Sequence, residues 1–105
     1  MVNMDLKAYV SKWRALKGYD LIYCVAKDMR YNSGMSSEYH RIMTDVMGTI
    51  NSVRSHCNEI AYRERLYFIE CCKTTIIIAT RLEYGRIIAD TIESELNKIK
   101  VSSFK

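Results

Sequence analysis

Seven apolar residues, Tyr39, Met43, Val46, Ile50, Val53, Cys57 and Ile60, recur at alternating intervals of four and three. That spacing puts all of them on one seam of an α-helix, the pattern that packs against neighbouring helices with interlocking side chains. The chain contains no proline and shows no hairpin signal, so a helical architecture is expected throughout.

The flanking segments read the same way. Leu6, Val10, Trp13 and Leu16 are helically spaced, as are Tyr19, Ile22, Tyr23, Ala26 and Met29. The apolar face swings between the two groups, and Gly18 lies at the swing, where a kink or break is expected. Residues 1–17 are therefore read as a short N-terminal arm, and 19–31 as the first full helix. Asn32-Ser33-Gly34 is a stop signal, and Ser36 or Ser37 can cap the next helix. The second helix is expected over 37 to 60 or 61, with Gly48 off its seam. The third is expected over 62–84, with Leu66, Ile69, Cys72, Ile76, Ala79 and Leu82 as its main face. Phe68, Ile77 and Ile78 make the centre of that helix apolar nearly all round, so it is central in the fold or lies at a subunit contact. The β-branched run 74–80 has strand propensity, but its flanks are helical. Gly85 ends the third helix. Ile88, Ile92, Leu96 and Ile99 mark a fourth, with Lys98 and Lys100 at its negative dipole end and a frayed tail over 101–105. The sum is a single domain over 1–105, an all-α antiparallel up-down four-helix bundle.

At 105 residues, 49% hydrophobic and 27% charged, the composition is that of one globular domain rather than a disordered chain. No apolar stretch is long enough to span a bilayer, and charges interrupt the N-terminus, so a cytoplasmic protein without a membrane partner is expected. Cys24, Cys57, Cys71 and Cys72 show no CxxC spacing and read as reduced thiols. The net charge of +4 is too small for a general nucleic-acid coat, yet favours an acidic partner if it gathers on one face.

No catalytic or metal-ligating motif stands out. His40 and His56 are sixteen residues apart on one helix, too far along the axis to share a metal. The four glycines stand singly, so no phosphate-cradling loop is present, and Glu93 with Glu95 is an ordinary exposed pair. No enzyme activity, cofactor, metal or small-molecule substrate is expected.

The order of a tyrosine-rich first helix, a polar glycine turn, a long second helix and a basic corner leads to a third helix ending Ala-Thr-Arg-Leu-Glu-Tyr-Gly over 79–85. Across residues 19–99 this resembles the small four-helix-bundle proteins encoded in intervening sequences of 23S ribosomal RNA genes. It is more similar still to their relatives, the accessory variability determinant proteins of diversity-generating retroelements. Arg63 and Arg65 match the basic opening of the third helix in those families, and Arg81, Leu82, Tyr84 and Gly85 match its ending. The resemblance implies a homopentameric, barrel-like assembly that associates with a reverse transcriptase and its structured template RNA.

Arg54, His56, Arg63 and Arg65 gather at the turn between the second and third helices, where Tyr62 and Tyr67 add stacking surface. Guanidinium groups suit phosphates, and aromatic faces suit unpaired bases. Lys73, Arg81 and Arg86 extend this candidate nucleic-acid surface, and Lys12, Arg14 and Lys17, with Lys7, form a second patch whose spread nearly around the helix is more often solvation than a groove. The plainer reading is a solvated end in which Glu59 and Glu64 neutralise the arginines. Trp13, Tyr62, Tyr67 and Tyr84 are the candidate protein-contact residues, because tyrosine and tryptophan give contact area at low entropy cost. A different class of function stays open beside the RNA-binding accessory factor: a small helical inhibitor or adaptor, for example phage-encoded, acting through its aromatic surface.

Overall fold

The computed structural model describes residues 6–104, and within them all regular structure is helical. The helices are α1 (Leu6–Trp13), α2 (Gly18–Tyr31), α3 (Glu38–Ser55), α4 (Tyr62–Tyr84) and α5 (Arg86–Leu96), followed by a 3-10 turn at Val101–Phe104. The strand propensity of 74–80 is overridden, because those residues lie inside the longest helix.

Local chemistry fixes the boundaries. The swing at Gly18 is a complete break: Gly18 has φ +55, and residues 14–17 turn the chain between α1 and α2. Ser37 caps α3 by accepting the His40 N–H at 3.0 Å. α3 then ends five residues before the expected boundary, so Cys57 and Ile60 leave the seam. Ser52, Ser55 and Asn58 are weak helix formers, and Arg65 holds the released loop by donating from Nη1 to the carbonyls of Cys57 and Ile60, each at 2.6 Å. Gly85 alone joins α4 to α5, with φ 95 and ψ 172, a conformation essentially confined to glycine.

α3 packs along α2, α4 along α3 and α5 along α4. The core is one cluster in which Ile22, Met29, Met43, Ile50, Ile69, Ile76, Ile92 and Leu96 are fully or almost fully enclosed. The seam from Tyr39 to Val53 is buried throughout, and the Tyr39 hydroxyl pairs with Thr80 at 2.9 Å. α1 folds back on the body: Trp13 is fully buried, and its indole donates to Asp28 at 2.8 Å. The expected frayed tail is instead anchored, because Phe104 is only 4% exposed and meets Tyr19 edge-on at 5.0 Å between ring centres. Residues 1–5 of the expected arm, and Lys105, lie outside the described residues.

Candidate functional site

α4 carries two apolar faces. Ile69, Cys72, Ile76 and Ala79 face the core. Just over a third of a turn away, Tyr67, Cys71, Ile78 and Leu82 follow one another at intervals of four, seven and four residues and form a stripe on the outside. Leu82, expected in the core face, is 85% exposed: at about 100° per residue it falls roughly a third of a turn from the middle of the buried set. Tyr67 is 68% exposed and Ile78 53%. Phe68 sits beside Tyr67 with its ring edge-on at 6.1 Å, at the border of a shallow groove shared with Ile42 and Thr49 of α3. Large apolar side chains lined up on one solvent-facing helix, rather than scattered singly, are the mark of a docking surface.

The border of this stripe is mixed in sign. Arg63 and Arg81 flank one side near its two ends, and neither forms an ion pair among the described residues. Glu64 and Glu70 stand nearby, and Glu70 accepts from Lys73 at 3.2 Å.

The expected basic corner is not assembled as a free patch. Arg54 pairs with Asp20 and donates to Asn51 at 2.8 Å. His56 is the C-cap of α3, with Nδ1 2.9 Å from the Ser52 carbonyl. Arg65 is committed to the loop carbonyls and lies over the Tyr62 ring at 5.4 Å, while the Tyr62 hydroxyl donates to Val101. Of the four corner residues, only Arg63 has no partner among the described residues. Lys73 is mostly covered, and Arg86 pairs with Asp90 at 3.7 Å.

The second patch is likewise bound into the fold. Lys12 reaches Asp28 at 2.9 Å, and Arg14 reaches the buried Glu95 at 3.3 Å, with Lys98 on the same carboxylate at 2.8 Å. Burial pushes the Glu95 carboxyl up, but the hydrogen bonds from Lys98 and Arg14 outweigh it and hold the group below its ordinary value. Lys17 is exposed with no ion pair among the described residues.

Of the candidate contact aromatics, only Tyr67 is strongly exposed. Trp13, expected as an interface anchor, is a core residue because its ring fills the α1–α2 junction and its N–H is spent on Asp28. Tyr84 is half-buried against Tyr39, its ring edge-on at 5.3 Å. The exposed role belongs to Ile78, Leu82 and Phe68, and the all-round apolar centre of α4 was the sequence signal for it.

The four cysteines are free, Cys71 on the outer stripe and Cys72 in the core. Burial, with the neighbouring Cys71 thiol adding to it, pushes Cys72 up to about 11. Among the described residues no three His, Cys, Asp or Glu side chains gather as a metal cluster, and no helix is long and apolar enough to cross a membrane.

The fold and site define an all-α protein with an unpartnered apolar helix face. Comparison with protein-family models, curated proteins and solved structures gives no significant match.

Proposed function

We propose that this is a non-enzymatic assembly protein, a helical bundle that works by docking the outer face of α4 against a second copy of itself. The exposed stripe of Tyr67, Cys71, Ile78 and Leu82 carries this reading. The stripe is palindromic about Thr74 and Thr75: Tyr67 and Leu82 are equidistant from the centre, and so are Cys71 and Ile78. An antiparallel copy therefore sets Tyr67 against Leu82 and Cys71 against Ile78, an isologous contact in which each copy offers the same patch. The mixed border of Arg63, Glu64, Glu70 and Arg81 adds no net charge to repel a like surface.

The experiment is solution mass by light scattering for the wild type and for I78E/L82E. The expected result is a concentration-dependent oligomer that becomes a monomer in the variant, with helical circular dichroism retained, since both replaced side chains point to solvent. A wild type that stays monomeric at hundreds of micromolar overturns the reading.

A second reading follows from the resemblance to retroelement accessory proteins: a pentameric barrel of up-down four-helix bundles that holds structured RNA for a reverse transcriptase in the cytoplasm. The observation in its favour is that Arg63 and the exposed Tyr67 are four residues apart on one face of α4, a cation and a ring that together suit a phosphate and an unstacked base. RNA affinity that falls steeply with salt and is lost in R63E supports it, and affinity that survives R63E sinks it.

A further inference from the structure

A cavity of about 500 Å³ lies where the α1–α2 turn meets the end of α5 and the terminal 3-10 turn. Trp13, Leu16, Leu21 and Ile99 give it apolar walls. Its exposed cations are Arg14, Lys17, Lys98 and Lys100, set against one carboxylate, Glu95. Four positive charges against one negative leave +3 at this single cavity, in a chain whose net charge is +4. The other basic side chains are scattered, and many are paired, so the excess charge of the molecule is concentrated here.

The cations divide into two jobs. Arg14 and Lys98 hold Glu95 and so brace α1 and the end of α5. Lys17 and Lys100 have no ion pair among the described residues. Like charges gathered at one opening repel one another, and an anion entering that opening relieves the repulsion.

We propose that this cavity binds a small amphipathic anion. Its aliphatic or aromatic body lies along the half-buried Leu16 and Ile99, and its phosphate, sulfonate or carboxylate head is held by Lys17 and Lys100. An apolar chamber with a few convergent charged groups is the usual form of a small-molecule site, and ammonium groups bind such heads through charge-assisted hydrogen bonds. Neither the α4 stripe nor the basic corner contributes to the cavity, so the site is independent of the assembly reading.

The probe is 1-anilinonaphthalene-8-sulfonate, an aromatic body with one sulfonate, compared with uncharged N-phenyl-1-naphthylamine. Amide chemical shifts in ¹⁵N-labelled protein locate the bound probe, and dodecyl phosphate and dodecanoate compete for it to distinguish the head groups. The expected result is a shift map centred on residues 13–21 and 95–103, with the neutral probe binding more weakly. K17E/K100E should weaken the sulfonate by about tenfold while leaving the neutral probe unchanged. Both lysines are exposed and have no ion pair among the described residues, so circular dichroism of the variant should match the wild type. The salt dependence of sulfonate binding to the wild type gives the same reading without any variant. Equal binding of the two probes, sulfonate affinity that ignores both salt and K17E/K100E, or shifts centred on α4 would overturn the proposal.

Discussion

Two buried carboxylates tie the ends of the chain to its body. Asp28 accepts from the Trp13 indole at 2.8 Å, from Lys12 at 3.0 Å and from the Cys24 thiol at 3.4 Å. In D28A the indole N–H remains buried without an acceptor, which costs about 2–3 kcal/mol, whereas K12A removes a solvent-screened partner and costs about 0–1 kcal/mol. Urea unfolding of the two variants should separate them by that margin, and equal midpoints would show that Trp13 does not depend on Asp28. Glu95 gives the fold a pH dependence. Its carboxyl titrates lower in the folded chain than in the unfolded one, so its stabilisation is present above the ordinary glutamate range and is lost as pH falls through the folded value. Arg14 and Lys98 are the charged groups on it. Thermal unfolding should therefore weaken below about pH 4.5, and E95Q should flatten that acid limb. Neither carboxylate was legible beforehand. Asp28 and Glu95 look like ordinary helix-surface acids, and the partners that tie them across the fold, Trp13 and Arg14, stand fifteen and eighty-one residues away in sequence.

At the scale of elements, two glycines make opposite predictions from one substitution. Gly48 is exposed within α3, and a Cβ built there meets nothing within 4 Å. G48A should stabilise the protein by about 0.4–1 kcal/mol, because alanine restricts the unfolded chain and suits the helix. Gly85 also has open space, but its φ of +95 forces any side chain into a conformation that costs about 1–3 kcal/mol, so G85A should destabilise by that amount. Chemical denaturation of both variants checks the pair, and a neutral G85A would mean that the α4–α5 junction relaxes to another turn. The junction was legible because glycine ends helices for a local reason, and the 62–84 helix, a serine cap at the start of α3 and the Tyr39–Val53 seam were legible for similar local reasons. The end of α3 was not, because it depends on Arg65 reaching back to the loop carbonyls. The facing of α4 was only half legible. Periodicity shows that its centre is apolar all round, but which side meets the core depends on how α3 and α5 pack around it, and Leu82 ends outside for that reason.

The whole molecule measures 42 × 27 × 18 Å, so its thinnest dimension is about two helix diameters. With so little depth, a helix that is apolar on two separate faces does not have both covered by its own chain. α4 buries Ile69, Cys72 and Ile76 inward and leaves Cys71, Ile78 and Leu82 outward, and a second copy is the occupant that its palindromic stripe favours. Adjacent cysteines test that proposed contact, Cys71 on the stripe and Cys72 behind it in the core. Cys72 is enclosed, and burial pushes its thiol to about 11, so it carries almost no thiolate at pH 8 and should resist alkylation in the folded state. Cys71 is exposed near the middle of the stripe and should alkylate readily in dilute protein. As concentration rises through the association range, Cys71 labelling should slow in proportion to the fraction assembled, while half-buried Cys24 and Cys57 keep constant rates. In I78E/L82E, the Cys71 rate should be independent of concentration. Mass spectrometry of timed iodoacetamide reactions measures all four thiols at once. An oligomer in which Cys71 labels as fast as in the monomer would place the contact on another face.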